Sequence, residues 1–311
     1  MTTFEDETGT ADDVSVAGND VSVVSHEVTI FSSGSANTTV FSSAAEAWRY
    51  RSFIAYMTKR DLRTTYTRSY FGWAWSLMNP IAEVAIYSIV FGVLLNIDRS
   101  VPVAPGGFSS FPHFLVSGIA IWGFFRAVSS KILANFMSTV RLRRKLYFPP
   151  VAAALSTALS TLVEASILIG VVIVFFALFG HISIHAVVLI PAAIFAAASG
   201  LGVGLALSVA NSKYRDISYL YSISLRLGFY LLPLIWPIQS AAGRFSGAPW
   251  LEPIVTQNPF AKMIGFGRDG ILFMRWPPLI DWIYLSSFSL LILYVGWAIF
   301  ARSSADVAEG L

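Results

Sequence analysis

The chain has 311 residues, 55% of them hydrophobic and only 13% charged, with a mean hydropathy of +0.65 and a formal net charge of +3. Soluble domains carry about a quarter charged residues, so this composition excludes the soluble globular class and reads as an integral membrane protein. The absence of cysteine excludes a disulfide framework, a thiolate metal site and a cysteine nucleophile. Among the four histidines, His26, His113, His181 and His185, no His-x-x-x-His pair with nearby carboxylates indicates zinc.

Residues 1–46 contain Glu5, Asp6, Glu7, Asp12, Asp13, Asp20, Glu27 and Glu46 without a single Lys or Arg, in a Ser/Thr/Val-rich setting with no helical periodicity. This pattern predicts a disordered acidic cytoplasmic tail, read either as a solvated extension or as a docking segment for a partner. It has neither the basic start nor the apolar core of a signal peptide, so retention in the mature protein is expected.

Residues 47–72 predict an amphipathic interface helix. Tyr50, Phe53, Ile54 and Met57 share one face, and Arg49, Lys59, Arg60 and Arg63 cluster within an arc of about 100° elsewhere. A second stripe, Leu62, Tyr66 and Tyr70, points about 150° from the first, which predicts a break near Lys59 to Asp61. The segment before the break would lie in the cytoplasmic interface, with cations toward anionic headgroups. Trp73 and Trp75 suit headgroup depth. A plain topogenic anchor is the simpler reading of the same residues.

A transmembrane domain is expected over 73–305. A hydrocarbon core of roughly 30 Å needs about 20 apolar helical residues, and six stretches qualify: 73–96, 112–136, 150–179, 186–210, 217–237 and 279–301. The loop after the second holds Arg141, Arg143, Arg144 and Lys145, and the loop after the fourth holds Lys213 and Arg215. Short basic loops stay cytoplasmic, so both termini are expected in the cytoplasm. The connection 238–278 is too proline-rich to span and too apolar to be free in water, which predicts short re-entrant helices at the outer face, with interfacial anchoring as the alternative. The fold class expected is thus an all-α membrane protein.

Glu83, Arg126, Glu164 and Arg226 fall inside spans one, two, three and five at similar depth. A lone ion in hydrocarbon is costly, so they either line a polar path or pair across helices. The pairing that neutralises all four is Glu83 with Arg126 and Glu164 with Arg226. In span four, Gly200, Gly202 and Gly204 permit close helix approach. No G-x-x-x-x-G-K-[ST] pattern occurs, so any ATP-driven work is expected to use another polypeptide.

Taken in order, the amphipathic helix, "GWAWSLMNP" entering span one, the basic "RLRRKLYFPP" loop, "KYRDI" after span four and "NPFAKMIGFGRDGIL" before the last span resemble the permease subunits of ABC-2 type polysaccharide exporters. The likeness covers about 46–305; the acidic tail departs from it. It implies a homodimer with two copies of a P-loop ATPase subunit that binds ATP and Mg, no cofactor in this chain and no nucleic-acid partner. It also implies a polyprenyl-pyrophosphate-linked glycan of O-antigen, teichoic acid or galactan type as substrate, in a bacterial inner membrane. By the same resemblance, Arg141, Arg143, Arg144, Lys145 and Tyr147, with Tyr214, Arg215 and Asp216, would couple to the ATPase. Arg49, Lys59, Arg60 and Arg63 would meet the lipid pyrophosphate, where guanidinium groups bind phosphate oxygens in bidentate fashion. Tyr87, Phe125, Tyr221 and Tyr230 are the candidate channel aromatics. Rival readings are an ABC-2 exporter of a drug or small lipid, a membrane scaffold, and a multispan glycosyltransferase or phosphotransferase. The last would need an interfacial acidic cluster, and the exposed loops supply only Asp61 and Asp216.

Overall fold

The computed structural model describes residue 45 and residues 47–66, 74–95, 101–143, 150–238 and 250–309. The rest of the acidic tail, residues 67–73 and residues 144–149, with Arg144, Lys145 and Tyr147, lie outside the described residues. Every described residue belongs to one compact unit. The elements are helical: α1 (Arg51–Tyr66), α2 (Ala74–Tyr87) running on into a π-helical turn (Ser88–Leu94), α3 (Phe111–Arg143), α4 (Pro150–Leu178), α5 (Leu189–Lys213), α6 (Ile217–Leu231), α7 (Leu251–Thr256), α8 (Pro259–Ile271) and α9 (Leu279–Glu309). Among the described residues no strand forms beyond an isolated bridge between Ala104 and Phe108.

Four helices are long and apolar enough to cross a membrane, over Phe111–Asn135, Val151–Leu178, Ile184–Lys213 and Leu279–Ser303. The first and fifth sequence-predicted spans are shorter. The apolar part of α2 and its π turn is Pro80–Leu94, and α6 has 15 residues, about 22 Å at 1.5 Å per residue. The fifth span stops early because Pro233 follows within two residues of its end, and a proline biases the residue before it out of the helical region: Leu232 is extended, with ψ 153°.

α3 is the central post. Phe114, Leu115, Ile119, Ile121, Phe124, Phe125, Val128 and Ile132 along it are all buried. Contacts along α3 fix the direction of its neighbours. Lys131 meets Glu164 and Gly123 faces Leu168, so α4 is antiparallel. Tyr221 meets Ser129 and Gly228 faces Trp122, so α6 is antiparallel too. Arg126 meets Glu83 and Phe111 faces Gly92, so α2 is antiparallel as well. α5 runs parallel to α3, since Gly200 sits beside Phe125 and Val128, and Gly204 beside Ser129 and Ile132. α9 runs parallel to α5 through Ser199 with Ser289 and Gly202 with Ile292 and Gly296. α2 to α6 and α9 therefore alternate in direction, as short connections demand.

The glycines of α5 make this possible. A Cβ on Gly200 would lie 2.9 Å from the Phe125 carbonyl, and a Cβ on Gly202 or Gly296 would overlap the backbone of the facing helix. In an apolar solvent, association depends on such close packing.

α1 lies at one end of this bundle, against the start of α4. It buries Ile54 and Met57 and bonds Thr58 Oγ1 to the Ser156 carbonyl at 3.3 Å. The expected break at Lys59 to Asp61 does not occur: α1 runs unbroken through it. The stretch contains neither Gly nor Pro, Arg60 chelates the adjacent Asp61 at 2.8 and 3.1 Å, and only one face is needed for packing, with Leu62 left half-buried.

The opposite end is closed by α8. Asn258 caps it by accepting from the Phe260 N–H at 2.9 Å, and Pro259 occupies the first helical position, where its missing N–H costs nothing. Its last turn delivers Arg268, 4% exposed, into the bundle. The guanidinium donates to the Phe114 carbonyl from Nε and Nη2 (3.3 and 3.0 Å), to Leu234 at 2.7 Å and to Pro233, and it lies 3.6 Å over the Phe114 ring. Burial lowers its pKa to about 9, so it stays a cation at neutral pH. The Pro233 and Leu234 carbonyls lie just past the negative end of α6 and supply the compensating charge. Gly118 makes room: a Cβ there would sit 2.6 Å from Nη2 and 3.1 Å from Leu234.

Arg268→Gln is expected to cost about 3 kcal/mol or more, because buried carbonyls lose a charged donor. Gly118→Ala should cost about 1–3 kcal/mol by overpacking. Thermal unfolding of the detergent-solubilised chain checks both, and the idea of a clamp fails if Arg268→Gln melts like wild type.

Candidate functional site

The only charges that α2 to α6 carry within their apolar stretches line two adjoining cavities on the α2 side of α3, among the described residues. The first, about 410 Å³, is enclosed by Glu83 and Tyr87 of α2, Arg126 and Ser130 of α3, and Ser222, Leu225, Arg226, Phe229 and Tyr230 of α6. The second, about 650 Å³, lies between α2, α3 and α4. It shares Arg126 and Ser130 and adds Trp75, Lys131, Thr161 and Glu164. Together they form a polar groove on an otherwise apolar bundle.

Within the groove Arg126 Nη1 lies 3.9 Å from Glu83 Oε1, a loose contact between half-exposed groups. Lys131 Nζ donates to Glu164 Oε2 at 2.6 Å. The expected Glu164–Arg226 pair is therefore replaced by Glu164–Lys131. The reason is placement: α4 packs directly on α3, which carries Lys131, whereas α6, which carries Arg226, packs on α3 and α5. Arg226 is exposed in the groove and has no carboxylate within ion-pair distance among the described residues. The groove thus holds three cations, Arg126, Lys131 and Arg226, against two carboxylates.

Sequence reasoning passed over Lys131. The signal was available, since it lies twelve residues from the end of α3 and Glu164 fourteen from the start of the antiparallel α4, at matching depth. Arg268 and Gly118 were also missed as a pair, because nothing local joins residues 150 apart.

Of the four channel aromatics, Tyr87 and Tyr230 line the groove, with Tyr87 stacked 5.2 Å from Phe229. Phe125 does not: it is buried, 4.5 Å from Phe260 and 5.4 Å from Trp122. Tyr221 points into α3, where its hydroxyl donates to Ser129 Oγ at 2.6 Å. The π-helical turn Ser88–Leu94 directly follows Tyr87 and presses Gly92 against Phe111.

The remaining sequence-selected residues gather at the α1 end. Arg49, Lys59, Arg60 and Arg63 are all exposed on and beside α1. Tyr214, Arg215 and Asp216 are exposed in the turn between α5 and α6, which Asn211 braces by accepting from the Ser218 N–H at 3.1 Å. Arg141 and Arg143 fall in the last turn of α3. Two of the described histidines are structural: His181 Nε2 bonds the Leu272 carbonyl at 2.8 Å, and His113 packs among Phe108, Phe175, Phe176 and Phe179. Among the described residues no group of His, Asp and Glu is arranged to hold a metal.

A multi-pass helical bundle with a charged groove and an end-on amphipathic helix defines a membrane transport permease. Residues 53–266 match the family described as ABC-2 type transporter, and the chain belongs to that family. It is 28% identical over 259 residues to the O-antigen export system permease protein RfbA of Klebsiella pneumoniae, covering 82% of this chain and 93% of that protein. To RfbA of Myxococcus xanthus it is 21% identical over 267 residues, 86% of this chain and 98% of that one. To the polysialic acid transport protein KpsM of Escherichia coli it is 20% identical over 243 residues, 78% of this chain and 89% of the relative.

A partly buried ion pair still punishes removal of one partner more than removal of both, by less than a fully buried one. Lys131→Met alone should destabilise by about 1–2 kcal/mol, and Lys131→Met/Glu164→Leu by clearly less. Thermal unfolding of the single and double variants decides; an equal or larger loss in the double variant would show that the two groups act independently.

Proposed function

We propose that this chain is the permease of an ATP-driven exporter that moves a polyprenyl-pyrophosphate-linked cell-surface polysaccharide, of O-antigen or galactan type, across a bacterial inner membrane. Two copies form a homodimer, and two copies of a separate P-loop ATPase subunit bind ATP and Mg. In this reading α2 to α6 and α9 are the six spans, both termini are cytoplasmic, and α7 and α8 form the outer re-entrant pair. The exposed end with Arg141, Arg143, Tyr214, Arg215 and Asp216 meets the ATPase, and α1 lies in the cytoplasmic interface with Arg49, Lys59, Arg60 and Arg63 toward the lipid diphosphate.

The observation that carries the reading is the uneven charge of the groove. Three cations against two carboxylates in a low-dielectric setting leave one positive charge to be met by something that passes. A diphosphate meets it, because guanidinium groups take phosphate oxygens in bidentate fashion. Tyr87 and Tyr230 offer apolar faces with hydroxyls at their rims, which suits sugar rings. The groove lies open along one chain, and a second copy would close it. The roles that the relatives' names carry, O-antigen export and polysialic acid transport, agree with a polymeric saccharide cargo.

Deleting the chain from its host should strip the surface glycan and accumulate lipid-linked glycan in the cytoplasmic leaflet. Complementation by Arg226→Gln should restore less than about a tenth of wild-type export, since a charged hydrogen bond to phosphate is worth about 1.5–3 kcal/mol. Immunoblots of surface glycan and extraction of the lipid-linked pool read both. Normal surface glycan in the deletion strain overturns the assignment; full export by Arg226→Gln overturns the role given to the groove.

A further inference from the structure

At the end of the bundle opposite α1, a third cavity of about 430 Å³ sits between α7, α8, the residues that follow α6 and the start of α9. It is separate from the charged groove and shares none of its residues. Its volume falls in the range of small-molecule sites. Its chemistry differs from that of the groove: Glu252, Asp269 and Asp281 balance Lys262, Arg268 and Arg275, so the lining is formally neutral and dense in both donors and acceptors.

The internal pairs leave hydrogen-bonding capacity unspent. Asp269 is only 8% exposed, yet it accepts both bonds from Arg275, at 2.7 and 2.9 Å, on Oδ1 alone. Its Oδ2 has no hydrogen-bond partner among the described residues. Asp281 likewise engages Lys262 through Oδ1 at 3.2 Å. The side chains of Glu252 and Gln257 make no hydrogen bond among the described residues, although both line the cavity. Phe273, half-buried, contributes an apolar face to the same walls. Carboxylate oxygens left unpaired beside a cavity are ready acceptors for a ligand's donors.

An anion would find as many carboxylates as cations here, and an apolar ligand would strand them all. A neutral polyol with apolar ring faces satisfies each feature: its hydroxyls donate to Asp269, Asp281 and Glu252 and accept from Gln257, and a C–H face lies on Phe273. We propose that this cavity binds a neutral pyranose unit, as an exit-side subsite for the exported glycan. The assignment rests on the polysaccharide reading above for its physiological ligand.

The full-length chain in nanodiscs is probed by saturation-transfer NMR with free galactose, mannose, N-acetylglucosamine and rhamnose, and with inorganic diphosphate as competitor. Saturation should reach pyranose ring protons of at least one sugar, and diphosphate should not displace it. Glu252→Gln/Gln257→Ala, which breaks no ion pair, should raise the Kd about tenfold with an unchanged melting temperature. Asp281→Asn should weaken binding in the same direction, as an independent check. No transfer to any pyranose, an unchanged Kd in the double variant, or displacement by diphosphate overturns the subsite. Surface glycan in the deletion strain separates the two ideas: loss of glycan without cavity binding fails the subsite alone, whereas glycan unaffected by deletion removes the exporter reading and the subsite's cargo with it.

Discussion

Arg268 is a cation with no carboxylate of its own, held in the interior by three backbone carbonyls and one aromatic face. The bonds reach α3 near its start and the chain just beyond α6, from the last turn of α8. Three helix ends that share no local sequence are thereby fixed to one planar group. A lysine could not replace it, because a compact ammonium cannot span carbonyls that only a rigid fork reaches together. Both the charged groove and the far cavity inherit their geometry from this point. The groove is bounded by α3 and α6, which the clamp ties together, and the cavity is walled by α8 and its neighbours.

The two polar regions follow opposite rules. In the groove, charges lie on four helices at similar depth and remain unevenly matched, with Arg226 left over. At the far end, Asp269 and Asp281 are paired with Arg275 and Lys262, Arg268 is held by carbonyls, and the surplus is in hydrogen-bond acceptors. Burial raises the pKa of Asp269 while its bonds to Arg275 pull it back, a balance that only a closely held partner sustains. Two regions of separate polar chemistry thus lie along one bundle.

Much of the architecture was legible because lipid permits few solutions. Long apolar runs bounded by basic loops placed α3, α4, α5 and α9, and the glycine spacing in α5 announced its close packing. The proline that truncates α6 was visible as a residue, but its effect depends on where the helix starts, which hydropathy does not mark. The expected break in α1 came from treating Leu62, Tyr66 and Tyr70 as a stripe that must be buried; the helix packs one face only and leaves the rest to the surroundings. For the charges, depth alone predicted Glu83 beside Arg126, but which helices touch decides partners as much as depth. Glu164 took Lys131 because α4 packs directly on α3, whereas α6 packs on α3 and α5. The far cavity was illegible, since its residues come from α3, the stretch after α6, α7, α8 and α9, from Phe114 to Asp281.

The π-helical turn after Tyr87 has a geometric corollary. Each hydrogen bond there closes over one residue more than in an α-helix, as the Leu95 N–H to Val90 carbonyl bond at 3.1 Å shows. In α-helical winding, Gly92 would project about 140° from Tyr87. The wider winding instead sets it one turn above, so the tyrosine keeps its place on the groove while the glycine meets Phe111. The segment carries one surplus residue as stored phase. Losing that residue would let the backbone rewind as an α-helix with the same two faces presented and every main-chain bond still made, which in hydrocarbon is the condition any change of length has to meet. Length is therefore adjustable in Ser88–Leu94 as it is nowhere else along α2.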